Sequence, residues 1–150
     1  DQWDMLKSNP DKYLPVLVEE ILRLEGPVQG LFRETAKDIE LHGVAIPKGS
    51  VINVRYAAAN LDDTMFETPE KLNLERENSR QHLAFGFGTH YCMGAPLARR
   101  EILLSFKVLL ERIDEMWFLD GLNDFRHHPN FCLRALRELH IGFTRCKPSA

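Results

Sequence analysis

One short stretch of the sequence, FGFGTHYCMG at residues 85–94, sets a single cysteine among three aromatic residues and three glycines. An apolar helical pattern follows, so we expect Cys92 at the N-terminus of a helix, where unpaired backbone N–H groups and the helix dipole favour a thiolate. Glycines have no Cβ, so the backbone can turn tightly and a flat ligand can approach it, while Phe85 is placed to screen the sulfur from water. These residue types indicate a sulfur ligand in a loop shaped for a flat group.

A plainer interpretation is that Cys92 is a small buried hydrophobic residue and that the glycines serve a hairpin turn. The spacing argues against it. The pattern F-x-x-G-x-x-x-C-x-G is matched by Phe85, Gly88, Cys92 and Gly94. Because four positions are specified, a chance match in a chain of this size has odds of about one in a few thousand.

Two long segments with helical periodicity precede and follow this loop. The first is Pro10–Glu25, where apolar residues recur at helical spacing after Ser8 or Asn9 as the N-cap, and a Gly-Pro pair ends it. The second runs over residues 92–113 and is apolar enough to be mostly buried. A shorter helix is predicted over residues 54–61.

The remaining segments favour short strands and one long loop. Residues 38–54 hold β-branched runs around Gly43 and around the turn at residues 47–49, which predicts a small antiparallel sheet. Residues 62–80 are polar and without a lasting period, which indicates an ordered loop of about 20 residues. Further strand-like pieces lie at residues 116–119, 131–133 and 139–143. We therefore predict an α+β fold, mainly α, over residues 1–150.

Composition excludes several classes of function. The formal net charge is −3 and the basic residues form no run, so nothing indicates a nucleic-acid partner or a polybasic membrane surface. No apolar stretch approaches the roughly 18 residues of a membrane span, and the first residues do not resemble a secretory signal. Cys92, Cys132 and Cys146 are widely spaced, which favours a reducing, cytoplasmic setting, and the histidines show no zinc-ligand spacing.

The segment HLAFGFGTHYCMGAPLARREI, residues 82–102, resembles the haem-binding loop of the cytochrome P-450 family, and most closely that of its soluble bacterial members. The resemblance implies that Cys92 is the axial thiolate ligand of a haem iron, pushing electron density onto the metal. It also implies contacts with the haem cofactor around that ligand. The loop residues concerned are Phe85, Gly86, His90 and Gly94.

Other positions match the family as well. Glu20 and Arg23 form an E-x-x-R pair, which by itself is commonly a weak surface ion pair. Arg76 ends FETPEKLNLER, which is similar to the family's meander, and the resemblance implies a buried charge network of these three residues that holds the haem-side core. Arg33 and His90 match the family's haem propionate donors; a surface arginine and a loop histidine are the alternatives.

The family match also suggests where a substrate and an electron donor would lie. Val28, Gly30, Leu31 and Phe131 correspond to segments that line the substrate pocket, which implies an apolar organic substrate. Cationic residues on the helix after the cysteine are candidates for docking an acidic redoxin, with a solvated helix face as the alternative. They are Arg99, Arg100, Lys107 and Arg112.

The resemblance implies a haem-thiolate monooxygenase that inserts one oxygen atom from O2 into its substrate, with electrons from a ferredoxin-type redoxin or a reductase. Family chains are more than twice this length, and the match begins after the long central helix that delivers protons, so no catalytic residue is assigned. We interpret the chain as the C-terminal haem-binding portion of such a protein. A peroxide-driven peroxygenase and a truncated, non-catalytic haem-binding fragment are the alternatives.

Overall fold

The computed structural model describes residues 2–147, which form four helices and three pairs of strands. The helices are α1 (Gln2–Ser8), α2 (Pro10–Glu25), α3 (Tyr56–Ala59) and α4 (Ala95–Arg112). The strands are β1 (Leu31–Glu34), β2 (Ile39–Leu41), β3 (Val44–Ile46), β4 (Val51–Val54), β5 (Ile113–Phe118) and β6 (Ile141–Arg145). The predicted α+β fold, mainly α, is confirmed. None of the helices within the described range is long and apolar enough to cross a membrane.

The helix α2 has the predicted bounds, and the structure decides between its two candidate caps. The side chain of Asn9 accepts a hydrogen bond from the backbone N–H of Lys12 at 3.1 Å, so Asn9 is the N-cap. Pro10 occupies the first helical position, where a missing N–H costs nothing. The short helix α1 precedes this cap and was not predicted, because a helix of about two turns leaves too little periodicity to recognise.

The strands are where expected in part, but they pair differently. The strands β2 and β3 form the predicted hairpin around Gly43, whose φ of +78° suits glycine. The strand β4 does not continue this hairpin; it pairs antiparallel with β1, which was not predicted. Residues 131–133 are not a strand and form only an isolated bridge, between Leu133 and Val28. A small antiparallel sheet is therefore confirmed for β2 and β3, but the last predicted strand, β4, belongs to a different pair, since long-range pairing decides which strand edges meet.

The apolar core lies where α1, α2, α4 and the long loop meet. Five leucines form its centre: Leu6, Leu14, Leu17, Leu74 and Leu110. The loop at residues 62–80 contributes Leu74 and also buries Phe66, so it is an ordered part of the core, as predicted. This packing sets α2 against α4 and brings the long loop over α2.

The helix α4 differs from its prediction in two respects. It begins at Ala95 rather than Cys92, and only Ala95 and Leu110 are buried along its length. Leu97, Leu104 and Val108 are exposed. The prediction of a mostly buried helix was wrong for the described residues, because α2 and the strand β5 cover only part of its surface.

Candidate functional site

Cys92 lies in the turn that leads into α4, and its side chain is exposed. Its N–H donates to the carbonyl of Phe85 at 3.0 Å, and its own carbonyl accepts from the N–H of Ala95 at 3.2 Å. The backbone therefore holds the residue on both sides while the sulfur remains open to a ligand. The helix starts three residues later, so the expected position at the helix N-terminus is wrong by less than one turn.

The glycines of this loop shape the backbone around the sulfur. Gly86 has a φ of +73°, a conformation that side chains with a Cβ rarely adopt. A Cβ placed there would lie 3.9 Å from the hydroxyl of Tyr56, on α3, so a side chain would have space. The positive φ, rather than crowding, is what disfavours any residue other than glycine. A Cβ on Gly94 would lie 3.7 Å from the Cys92 Sγ, so glycine leaves that side of the sulfur clear.

Phe85 packs on side chains of the loop and of α4. Its ring meets Tyr91 edge-on, with centroids 6.3 Å apart, and the guanidinium carbon of Arg99 lies 4.7 Å from its centroid. The aromatic ring is half-buried, whereas Cys92 remains exposed. The expected screening of the sulfur by Phe85 is therefore incomplete among the described residues, because the ring lies against the protein and leaves the sulfur open.

The two expected propionate donors lie in separate elements. His90 is exposed at the end of the 3₁₀ turn Gly88–His90, two residues before Cys92. Arg33 is exposed on β1, opposite Ile52 of β4, and its guanidinium donates to the carbonyl of Phe32 at 2.8 Å. Within the described part of the chain, no hydrogen bond joins Arg33 to the cysteine loop, and both side chains are exposed and available to a ligand.

The E-x-x-R pair on α2 is fully buried. Arg23 donates to both carboxylate oxygens of Glu20, from Nε to Oε1 at 2.7 Å and from Nη2 to Oε2 at 3.0 Å. The remaining guanidinium hydrogens reach backbone carbonyls, including that of Asn60 at 2.9 Å. Both side chains have no exposed surface. The two parallel hydrogen bonds pair the opposite charges in the geometry that a guanidinium prefers, which offsets the cost of removing them from water.

Arg76 completes this network from the long loop. Its Nε lies 3.0 Å from Glu20 Oε1 as an ion pair, although the N–H is not aligned as a hydrogen bond. Its Nη1 donates to the carbonyl of Glu67 at 2.9 Å, and the ring of Phe66 packs beneath the guanidinium groups of both Arg23 and Arg76. Burial raises the pKa of Glu20, but the hydrogen bonds from Arg23 and from the backbone outweigh it and lower that pKa.

A second buried network involves Glu19, which sequence reasoning missed. Its carboxylate, on a residue only 2 % exposed, accepts from Arg99 Nε at 2.9 Å and Nη2 at 3.0 Å. The ring Nε2 of His82 lies 3.0 Å from Glu19 Oε2. No local pattern indicates these contacts, because the partners are 63 and 80 residues away along the chain.

The hydrogen bonds of this second network define its charge state. His82 Nδ1 accepts from the N–H of Ala84 at 3.1 Å, so the ring donates to Glu19 through Nε2. Burial raises the pKa of Glu19, but the hydrogen bonds from His82 and Arg99 outweigh it and lower the pKa to about 2. The carboxylate is therefore ionised at neutral pH, and it holds the residues on either side of the cysteine loop.

The segments expected to line a substrate pocket are joined through their backbones. The N–H of Gln29 donates to the carbonyl of Cys132 at 2.7 Å, and Val28 bridges Leu133. Gly30 is buried, and a Cβ there would lie 2.5 Å from the carbonyl oxygen of Val54, so only glycine fits. Of the other expected residues, Val28 is half-buried, Leu31 is exposed and Phe131 is 86 % exposed.

Comparison with known proteins decides the family. The cytochrome P-450 family model matches residues 2–115. The chain belongs to the cytochrome P-450 family. It is 36 % identical over 148 residues to a steroid C26-monooxygenase of Mycobacterium tuberculosis, covering 99 % of this chain and 39 % of that protein. It is 40 % identical over 143 residues to cytochrome P-450 CYP107DY1 of Priestia megaterium, covering 95 % and 34 %.

Solved structures of this P-450 family agree with the fold. The substrate-free cytochrome P-450 CYP150A6 of Mycobacterium marinum superposes with a TM-score of 0.92 at 35 % identity, over 98 % of this chain and 37 % of that one. The complex of P-450 BioI with an acyl carrier protein bearing hexadec-9Z-enoic acid gives a TM-score of 0.87 at 36 % identity, over 95 % and 36 %. The chain thus spans less than two fifths of these P-450 relatives.

Members of the P-450 family carry haem, and the cysteine loop of this P-450 chain fits such a group. The exposed sulfur of Cys92 is a soft ligand suited to iron. Phe87 and Met93, exposed by 86 % and 97 %, lie in the same loop as apolar surface that a flat macrocycle would contact. The donor set and its surroundings therefore match a haem bound through a thiolate.

The cations of α4 divide into two kinds. Arg99 is one of the predicted docking cations, but its guanidinium is engaged by Glu19 and by the Tyr91 hydroxyl, so the structure gives it an internal role instead. A buried carboxylate attracts it away from the surface. The other three candidates, Arg100, Lys107 and Arg112, are exposed.

Proposed function

We propose that this chain is the haem-ligating C-terminal portion of a P-450 monooxygenase that inserts one oxygen atom from O2 into an apolar organic substrate. The observation that carries the proposal is the exposed sulfur of Cys92, held in a glycine-rich turn ahead of α4 within a chain of this family. In this proposal the rest of the oxygen-activating machinery would lie in a longer polypeptide; the chain itself spans less than two fifths of its relatives.

In this proposal Cys92 supplies the axial thiolate, and the bound haem supplies the activation and transfer of oxygen. Arg33 and His90 donate hydrogen bonds to the haem propionates, since both side chains are exposed and carry N–H groups suited to carboxylates. The buried network of Glu20 and Arg23 takes no part in the chemistry. It keeps α2 and the long loop in one arrangement.

An apolar substrate is proposed from the residues of the expected pocket wall. Val28, Leu31 and Phe131 are apolar, and the bridge between Val28 and Leu133 sets their two segments side by side. Exposed apolar surface of this kind marks a face that a ligand or further protein covers. The steroid named for one relative and the fatty acyl chain in one solved complex are apolar too, which supports the class of substrate but not its identity.

A ferredoxin-type redoxin or a reductase is the proposed source of electrons. The exposed cations Arg100, Lys107 and Arg112 lie on α4, the helix that follows the ligand cysteine. Positive charge on this helix attracts an acidic protein and orients it toward the sulfur side of the haem.

The proposal is tested by the absorption spectrum of the haem-loaded, reduced protein with carbon monoxide bound. We expect a strongly red-shifted Soret band, the signature of a thiolate ligand, and its complete loss in Cys92→Ala. The matched control is Cys132→Ala, which removes a half-buried free cysteine outside the loop and is expected to leave the band unchanged. A red-shifted band that persists in Cys92→Ala overturns the assignment.

A further inference from the structure

We propose that Arg99 is a positioning residue for the Cys92 ligand, acting through Tyr91 and Phe85 and anchored to α2 by Glu19. The inference rests on the proposed function, because it concerns how the sulfur is presented to a haem iron. Arg99 itself does not contact the sulfur in this assignment; it orients the residues that bracket it.

Glu19 anchors the Arg99 guanidinium to α2. Arg99 reaches both oxygens of Glu19, from Nε to Oε1 at 2.9 Å and from Nη2 to Oε2 at 3.0 Å. This two-point contact fixes the plane of the guanidinium as well as its position. Because Glu19 is 2 % exposed and belongs to the middle of α2, the anchor is a rigid element rather than a mobile side chain.

The Arg99 guanidinium also contacts two residues that adjoin Cys92 through the backbone. Arg99 Nη1 donates to the hydroxyl of Tyr91 at 3.0 Å, and Tyr91 is the residue directly before Cys92. The guanidinium carbon also lies 4.7 Å from the centroid of the Phe85 ring, close enough for a cation–π interaction. The carbonyl of Phe85 accepts the Cys92 N–H at 3.0 Å. One guanidinium thus contacts both the residue before Cys92 and the residue whose carbonyl accepts the Cys92 N–H.

Glu19 also binds His82, at the start of the same loop. His82 Nε2 donates to Glu19 at 3.0 Å, while His82 Nδ1 accepts the N–H of Ala84 at 3.1 Å. The one carboxylate of Glu19 therefore fixes the segment entering the loop through His82 and the segment leaving it through Arg99. Both segments are therefore bound to α2 through the same carboxylate. In this proposal, these contacts together set the direction of the Cys92 side chain.

The neighbouring network does not share this arrangement. Glu20 and Arg23 bind backbone groups of Asn60 and of residues 69–73, and none of the described hydrogen bonds takes them to residues 85–92. Losing Glu20 is expected to loosen the core as a whole. Losing Arg99 is expected to increase the mobility of the Cys92 sulfur specifically. This matters because a ligand atom must be held within about 0.5 Å of its binding position.

The test uses the haem-loaded, full-length protein and three variants: Arg99→Gln, Tyr91→Phe and the control Arg137→Gln. Arg137 is an exposed arginine in the segment between β5 and β6. Two quantities are measured: the red-shifted fraction of the ferrous carbonyl spectrum at equal haem content, and the rate of haem transfer to an apoglobin acceptor. For Arg99→Gln we expect a clear loss of the red-shifted fraction and about tenfold faster haem loss.

Tyr91→Phe removes a single hydrogen bond and keeps the ring, so it is expected to fold and to show a smaller change in the same direction. It decides the question if Arg99→Gln does not fold. Wild-type spectra in both variants, or a lower melting temperature for Arg99→Gln without any spectral change, overturn the inference and leave the proposed function intact. Absence of the red-shifted band in the wild-type protein overturns both.

Discussion

Glu19 and Glu20 are consecutive residues of α2, both buried, and their carboxylates enter two separate networks. Glu20 pairs with Arg23 and Arg76 beneath the long loop, whereas Glu19 pairs with Arg99 of α4 and with His82. Successive side chains of an α-helix diverge by about 100°, so two adjacent residues can serve different neighbours. One turn of α2 therefore supports both the long loop and the cysteine loop.

Replacing Glu20 with glutamine should be severely destabilising. The substitution leaves the buried guanidinium groups of Arg23 and Arg76 without a counter-charge, and such losses cost about 3–5 kcal/mol of the free energy of unfolding. The control is Glu25→Gln, which removes an exposed ion pair with Arg134 and should cost less than about 1 kcal/mol. Urea unfolding of the two variants measures both values; similar costs would mean that the buried pair contributes no more than a surface one.

The stability of the protein should fall in acid through Glu19. Its folded pKa of about 2 lies below the ordinary 4.5, so the unfolded chain binds the proton first as the pH drops. The contribution is present above pH 4.5 and is lost toward pH 2, and amounts to about 3 kcal/mol. Arg99 and His82 are the partners that lower this pKa.

This acid sensitivity is measured by the free energy of unfolding at about pH 7 and about pH 3. The wild-type protein should lose more stability between the two than Glu19→Gln, which carries no proton-binding group at that position. Glu25→Gln, which alters an exposed carboxylate of the same helix, should lose as much as wild type. Equal losses in all three proteins would show that Glu19 does not carry the effect.

Gly86→Ala should disturb the cysteine loop. The backbone at Gly86 has a φ of +73°, which costs about 1 kcal/mol or more for a residue with a Cβ. Gly43→Ala is the matched control, because its φ is +78° but it lies in the β2–β3 turn with open space around it. Both should lower the melting temperature, and only Gly86→Ala should lower the red-shifted fraction of the haem spectrum. A spectral change in both would mean that general stability governs the haem site.

Reduction by an acidic ferredoxin should depend on the exposed cations of α4. Lys107→Glu replaces attraction with repulsion, so the bimolecular rate of reduction should fall, and the rate of the wild-type protein should fall as salt is raised. The control is Lys48→Glu in the turn between β3 and β4, with the same change of charge on a different element. Stopped-flow reduction at several ionic strengths measures both; equal rates for the two variants would place the docking face elsewhere.

Local features of the site were predictable because neighbouring residues produce them. The polar pair Ser8–Asn9 before Pro10 and the apolar spacing of Pro10–Glu25 specify α2, although only the structure identifies Asn9 as the cap. Glycine at residue 86 suits a left-handed turn ahead of Cys92. The pairing of β1 with β4 and the exposure of α4 were not predictable. The local sequence of a short strand or of a helix does not specify which distant segment will pack against it.

The sequence by itself determined the family, the candidate ligand Cys92 and the E-x-x-R pair, because residue type and short spacing define each of them. Only the tertiary structure separated the roles of Glu19 and Glu20 and turned Arg99 from a surface cation into the partner of a buried carboxylate. The reason is physical: a charge is driven to pair when packing removes it from water, and the partner is chosen by which distant segments the fold brings within reach.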